Sequence, residues 1–397
     1  MLTHTNANSK FKIKRINIYK FNRRLPKSFA ISFRTWDHVE NVLLSVETDR
    51  GITGYGDASP VIEITGDTQE TALKFLTNVK SSLIGQDPCD ISAIHNLLEQ
   101  ASNKLGFNSQ TSKAAIDYAC YDILGKFESK PIYQLLGCDR PRIAETSIGI
   151  GIASTAEIVE NAKELMSVFK EGGPWSVKLK LSGDPKADKE RVLAVADVFA
   201  GKLKFDPNQA YHDPKVAVST FNELHSSLGS RVLLVEQPTP KGELDKLKYV
   251  SDNCEIPIFA DESAATIEDI QRVVEKKAAK GVNIKLQKIG GIYWARKAAE
   301  LLRESGIALQ IGCMYETAIG IAAGANFVAG TPSVSNSDLD GDFNVDLYSS
   351  TDISTEDTRP SVRYGARMPS GKPGLGIRLR DCVGQIMSGE VCLEQIV

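Results

Sequence analysis

From about residue 145 the chain repeats one unit, a short apolar strand followed by an amphipathic stretch, about every 25 to 30 residues. Segments 147–152, 176–181, 203–206, 232–236, 257–260, 282–286 and 307–311 read as strands. Segments 187–200, 266–278 and 294–304 have helical spacing. The strands do not alternate apolar with polar, which is the pattern of parallel strands covered on both faces. Such repeats either close into a barrel or open into a doubly wound sheet. The open sheet usually carries a Gly-rich phosphate turn after its first strand. No G-x-G-x-x-G stands in that context, and there is no Walker A sequence, so a closed parallel barrel is expected.

The N-terminal part has a different texture. Residues 11–20 alternate apolar and polar, and 41–48, Asp49-Arg50-Gly51 and 52–57 read as strand, turn, strand. Helical patterns follow at 69–83, 91–103 and 110–127. Strands first and helices afterwards make an α+β unit. The tail, with Gly374-Leu375-Gly376-Ile377, is expected to rejoin it. The domains expected are 1–140, 141–360 for the barrel, and 361–397 for the returning segment.

Charge and composition exclude several classes. Lys and Arg number 47 against 50 Asp and Glu, a net charge of −3, so there is no basic footprint for nucleic acid. No apolar run reaches the ~18 residues of a membrane span. The first twenty residues lack the apolar region of a secretory signal. Seven scattered cysteines without a C-x-x-C pair suit reduced thiols, and the cytoplasm is the expected location. The five histidines show no metal-ligand spacing, so any metal must be held by carboxylates.

Barrel enzymes place their chemistry where the strands end. One strand ends Val177-Lys178-Leu179-Lys180, and its two lysines share a side because strand side chains alternate. The next three end in acids: Asp206 in Phe205-Asp206-Pro207-Asn208, Glu236 in Val235-Glu236-Gln237-Pro238, and Asp261 in Ala260-Asp261-Glu262-Ser263. Each acid alone would pass as a loop or cap residue. Three in succession, 30 and 25 residues apart, converge and call for a hard cation such as Mg²⁺. Lys285, in Asn283-Ile284-Lys285-Leu286, falls on the strand across the barrel mouth from Lys180. Bases on both faces of an acidic metal site suit removal and return of a proton beside a carboxylate.

Together VKLK, FDPNQ, VEQP, ADES, NIKLQKIGGI and the closing PGLGI resemble the enolase superfamily in its muconate-lactonizing-enzyme subgroup, over nearly the whole chain. The resemblance implies a modified (β/α)8 TIM-type barrel, (β/α)7β, with an α+β capping domain. It implies Mg²⁺ on Asp206, Glu236 and Asp261, Lys180 and Lys285 as the acid/base pair, and Lys178 near the developing charge. Sites of this superfamily pair a Lys or His base with Mg²⁺ that stabilises an enediolate. Burial beside another lysine and a divalent cation should lower both lysines from their ordinary ~10.4. Asn208 and Glu262 are expected to support the ligands from behind.

The segment Ile311-Gly312-Cys313-Met314-Tyr315-Glu316-Thr317 holds no histidine, which disfavours acid-sugar dehydratase and mandelate racemase chemistry. Ser337-Asp338-Leu339-Asp340-Gly341 resembles the Asp-x-Asp with which dipeptide epimerases hold a free α-ammonium. Gly341-Asp342 departs from the usual continuation. Segments 30–36 and 60–68 resemble the lids of Ala-Glu epimerases, with Arg34 on the arginine that meets a glutamate side chain. Met314 and Glu316 are expected at the substrate. The reading is an isomerase that epimerises the C-terminal residue of an L,L-dipeptide, L-Ala-L/D-Glu-like by preference. Alternatives are an epimerase of apolar (Phe33, Trp36) or cationic (Glu63) dipeptides, an N-acylamino acid racemase, an o-succinylbenzoate synthase, or a non-catalytic barrel. The partner is a small dipeptide, with no nucleic acid or membrane and with homo-oligomers left open.

Overall fold

The computed structural model describes residues 11–168, 176–342, 353–355, 360–363 and 365–380. Three antiparallel strands open the chain: β1 (Ile13–Ile31), β2 (Arg34–Thr48) and β3 (Thr53–Ala58), in the order β1-β2-β3. The short helix α1 (Ile62–Thr65) leads into α2 (Gln69–Leu83), α3 (Ile91–Leu105) and α4 (Gln110–Glu128). The last three start at side-chain caps, with Thr68, Asp90 and Ser109 accepting from backbone amides of the first turn. Helix α4 lies close against β3 because Gly54 and Gly56 face it. A Cβ there would stand 2.1 and 2.0 Å from the carbonyl oxygens of Ala119 and Ala115. Val42, Leu44, Phe75, Leu98 and Ile116 fill the core between sheet and helices.

The hairpin departs from its sequence reading. The first strand was expected at 11–20, with 30–36 as a separate lid. Instead β1 runs on to Ile31, paired with β2 up to Ile31–Arg34, with an irregularity between Arg24 and Phe29. Pro26 falls in that gap and has no amide hydrogen for a ladder. The lid is thus the tip of a long two-stranded arm. Its far end lies on the barrel: the Ile152 amide donates to Ala30 O at 2.8 Å, and Ser32 Oγ donates to Asn208 O at 2.8 Å.

Eight parallel strands follow in sequential order: β4 (Ser147–Ile150), β5 (Ser176–Lys180), β6 (Lys202–Asp206), β7 (Val232–Glu236), β8 (Ile258–Ala260), β9 (Gly281–Lys285), β10 (Ala308–Gly312) and β11 (Val334–Asp338). A parallel bridge between Thr146 and Ser337 brings the two end strands together, which decides against the open sheet. Helices connect successive strands, giving the modified (β/α) barrel with an N-terminal cap. The helix before β11, Ala318–Gly330, is buried at every residue. It is apolar all round because the cap and tail cover the side that solvent would otherwise meet. Asn326 Nδ2 on it donates to Leu375 O at 3.2 Å, and the Ile132 amide donates to Gly374 O at 3.1 Å. Two short strands, β12 (Ser361–Arg363) and β13 (Ala366–Met368), form an antiparallel pair. The end of the expected returning segment, 381–397, lies outside the described residues. The five described cysteines are free, and no described helix is long and apolar enough to cross a membrane.

Candidate active site

Strands β6 and β7 end on Asp206 and Glu236, and Asp261 follows β8 directly. Carboxylate oxygens of the three lie within 4.8 Å of one another, and all three residues are fully buried. At an effective dielectric near 20, two such charges about 4 Å apart repel by ~4 kcal/mol. The cost shows at Glu236: burial pushes its carboxyl up, and Asp206 and Asp261 push it further, against Lys178. Lysines ring the cluster. Lys180 Nζ donates to Asp206 Oδ2 at 2.5 Å, and Lys285 Nζ is 2.9 Å from Asp261 Oδ2. Lys178 Nζ stands 3.6 Å from Asp206 and 3.5 Å from Glu236. Burial works against ionisation of Asp261, yet Lys285 and Lys288 hold it well below its usual range.

The cluster fits Mg²⁺. Its donors are hard carboxylate oxygens, and the ammonium groups of Lys178, Lys180 and Lys285 are the charges that balance them. The carboxylates are aimed from behind. Asn283 Nδ2 and Gln310 Nε2 each donate to Glu236 at 2.8 Å, and the Asn208 amide donates to Asp206 Oδ1 at 3.0 Å. Asn208 Nδ2 also donates to Glu262 Oε1 at 3.1 Å. Burial, with Asp261 and Asp206 adding to it, pushes Glu262 up to about 7.

One pocket opens above the cluster. Lys178, Lys180, Lys285, Asp338 and Asp340 form its polar floor, with Asn208 at one side. Phe29, Ile31 and Trp36 of the hairpin, Ile64 of α1, and Met314 and Tyr315 after β10 form an apolar wall. That wall belongs to a small hydrophobic cluster separate from the cap and barrel cores. Lys180 and Lys285 stand on the second and sixth of the eight barrel strands and so face each other across the mouth. With the carboxylates alone, burial lowers Lys285 but the Asp261 carboxylate outweighs that and holds the ammonium above its ordinary value; the expected lowering needs the divalent cation as well.

Other expected residues divide. Met314 lines the pocket; Glu316 does not. Glu316 Oε1 accepts the Met314 amide at 3.0 Å, and its other oxygen faces Gln287 Nε2 at 3.4 Å, so it braces the wall from behind. Arg34 is absent from the lining residues: its guanidinium donates twice to Glu63, at 3.1 and 2.8 Å, and stacks 5.1 Å over Trp36. Asp338 and Asp340 both reach the pocket but differ in partners. Asp338 accepts from Lys178 and Lys204 at 2.8 Å each, from Gln310 at 2.7 Å, and from Ser147. Burial opposes its ionisation, but the two lysines hold it at about 2. Asp340 accepts the Gly149 amide at 2.6 Å and lies 3.6 Å from Cys313 Sγ. The unusual Gly341 permits a close approach, since a Cβ there would lie 2.1 Å from Met314 O. Asp342 turns away and pairs with buried Arg367.

Three buried residues escaped the sequence reading: Lys204, Lys288 and Gln310. Lys204 lies two residues before Asp206 and faces the same side, so strand alternation held its signal. Lys288 follows Lys285 by about one helical turn and donates to Asp261 O at 2.6 Å. Nothing in the sequence around Gln310 distinguishes it from an ordinary strand residue.

Comparison with known proteins agrees with this geometry. Residues 15–137 match the family described as mandelate racemase / muconate lactonizing enzyme, N-terminal domain, and residues 157–383 match the enolase C-terminal domain-like family. A hydrophobic dipeptide epimerase of Enterococcus faecalis is 33% identical over 92% of this chain and 99% of its own. An L-Ala-D/L-Glu epimerase of Clostridium acetobutylicum is 34% identical over 83% of this chain and 90% of its own. A crystal structure of the dipeptide epimerase from Enterococcus faecalis V583, complexed with Mg and L-Leu-L-Tyr, superposes with a TM-score of 0.83 at 33% identity, covering 92% of this chain and 99% of that one. The chain belongs to the mandelate racemase / muconate lactonizing enzyme family of the enolase superfamily, and is an isomerase.

Proposed function

We propose that the protein epimerises the C-terminal residue of a dipeptide, with Mg²⁺ on Asp206, Glu236 and Asp261, and that it prefers apolar side chains. The observation that carries the reaction is that Lys180 and Lys285 line one pocket from opposite strands, directly above the carboxylate cluster. One lysine, as the neutral amine, takes the α-proton from one face of the substrate. The other, as the ammonium, delivers a proton to the opposite face, and the configuration inverts. Lys178 places a fixed positive charge on the floor, where the substrate carboxylate gains electron density as the proton leaves. Mg²⁺, when bound, supplies further stabilisation of that charge and opposes the carboxylate field that keeps Lys285 protonated.

The preference rests on the wall of Phe29, Ile31, Trp36, Ile64, Met314 and Tyr315. Arg34, on which the acidic preference rests, lies outside that wall and pairs with Glu63, which weighs against an acidic side chain in this pocket. Relatives include epimerases for hydrophobic dipeptides, for L-Ala-D/L-Glu and for L-Lys-D/L-Arg, and of these classes the apolar wall supports the first.

The test is ¹H NMR in D₂O with Mg²⁺ on a library of L,L-dipeptides whose residues are apolar, acidic or basic. Loss of the C-terminal α-proton signal with a second diastereomer appearing, fastest for apolar members, is the expected result. Exchange confined to N-acylamino acids would replace the reading with an N-acylamino acid racemase.

A further inference from the structure

Lys180 and Lys285 are held in place in different ways. On β5 the ladder reaches Leu179 on the β4 side and Lys180 itself on the β6 side. On β9 it reaches Lys285 on the β10 side, but on the β8 side its last pair is Ala260 with Val282. The chain then leaves Lys285 through a single helical turn, Leu286–Ile289, which ends at Gly290 with a φ of 89°. A helix this short has no stability of its own. Whatever fixes the end of β9 must therefore come from outside it.

Two side chains of that turn make the connection. Lys288 Nζ donates within the barrel, to Asp261 O at 2.6 Å and Asn283 O at 3.2 Å. Gln287 is fully buried and reaches the cap. Its Oε1 accepts the Ser59 amide at 3.1 Å and its Nε2 donates to Asp57 O at 2.8 Å, so it clasps the backbone at the end of β3. The same Nε2 stands 3.5 Å from the Tyr118 hydroxyl of α4 and 3.4 Å from Glu316 Oε2. An apolar side chain here would leave the Ser59 N–H and the Asp57 C=O buried without partners, and the turn would shift to relieve them. The residues after Lys180 are tied differently: the Ser182 and Gly183 amides donate to Asp188, within the barrel, at 2.8 and 2.9 Å.

We infer that Gln287 is a positioning residue that ties Lys285, and not Lys180, to the cap, so that the domain carrying the hairpin side of the apolar wall also sets the reach of one base. The inference rests on the two-lysine reading above.

The experiment follows α-proton exchange in D₂O by ¹H NMR at saturating Mg²⁺, starting separately from L-Ala-L-Leu and from L-Ala-D-Leu. It compares the full-length wild type with Lys180→Ala, Lys285→Ala and Gln287→Met, each checked for folding by circular dichroism. The two lysine variants define which epimer each base serves. Gln287→Met is expected to slow exchange of the epimer that Lys285→Ala loses by at least about tenfold, because a displacement of ~1 Å can cost ~10²-fold. The other epimer should slow by less than about threefold, and the loss should fall on kcat rather than KM. Equal slowing of both epimers would show that Gln287 only supports the fold, and overturns the inference; wild-type exchange of both does the same. If Gln287→Met does not fold, Gln287→Asn decides, since its shorter amide cannot hold Ser59 and Asp57 together. The same one-sided loss is expected there, and a symmetrical one overturns the inference. If the lysine variants do not separate the epimers, or the wild type exchanges neither, the two-lysine reading falls and takes the inference with it. A symmetrical Gln287 effect with the lysine variants separated overturns the inference alone.

Discussion

Single charges decide what this site can do. Lys180 and Lys285 each sit against a carboxylate, and only a lysine that sheds its proton can take one from carbon. Lys180→Ala and Lys285→Ala are each expected to abolish epimerisation, a loss of at least ~10²-fold, the usual share of a general acid or base. Either variant should still exchange the α-proton of one epimer with D₂O, because the remaining lysine still reaches one face. A single variant that epimerises at the wild-type rate would remove the two-base scheme. At this scale the sequence was informative wherever alternation put charge on a strand that had to be covered. It revealed Lys178 and Lys180 but left Lys204 unread in the same pattern. The pKa of Lys285 was beyond the sequence, because it depends on the distance to Asp261 rather than on either residue alone.

At the scale of elements, the hairpin of β1 and β2 gives the pocket at the barrel mouth one side of its apolar wall. Its tip is fastened by Ser32 on Asn208 O and Ala30 O on the Ile152 amide, and it carries Phe29, Ile31 and Trp36 over the floor. Tyr315 completes the wall, with ring centroids 5.8 Å from Phe29 and 5.4 Å from Trp36. Trp36→Ala should raise KM for apolar dipeptides about tenfold, which corresponds to ~1.4 kcal/mol of lost contact, with a smaller effect on kcat. Steady-state kinetics on apolar and acidic members checks this. An equal loss for both classes would mean that the indole shapes the arm rather than meeting the side chain. The arm escaped the sequence reading because Arg23-Arg24-Leu25-Pro26-Lys27-Ser28 interrupts the alternation, and Pro within a run normally argues against a strand.

The whole molecule is joined where cap meets barrel, and that joint holds two buried acids. Asp57 of β3 accepts from the Thr317 amide at 2.6 Å and its hydroxyl at 2.7 Å. Gln287 spans the joint, accepting the Ser59 amide at 3.1 Å and donating to Asp57 O at 2.8 Å. Burial pushes Asp57 up to about 6 despite these bonds, and burial with Asp57 nearby pushes Glu316 up to about 8. Both carboxyls therefore keep protons that the unfolded chain, at ~4, has already lost. The folded state binds more protons in that window, so their stabilising contribution is complete below about pH 4. It is lost as pH rises through about 6 for Asp57 and about 8 for Glu316. The melting temperature of Glu316→Gln should accordingly fall less than that of the wild type between pH 6 and 9. Parallel curves would show that Glu316 is already ionised in the folded protein.

By itself the sequence determined the barrel, because strand and helix periods repeat locally and need no partner to be read. It likewise marked Asp206, Glu236, Asp261, Lys180 and Lys285, since each ends an apolar run and the strand period fixes the side it faces. Only the tertiary structure decided what these charges meet. Arg34 and Glu63 are 29 residues apart in the chain yet form an ion pair, and Lys178 and Asp338 are 160 apart yet share a hydrogen bond. Charge interactions depend on distance and burial, and neither quantity exists until the chain has folded.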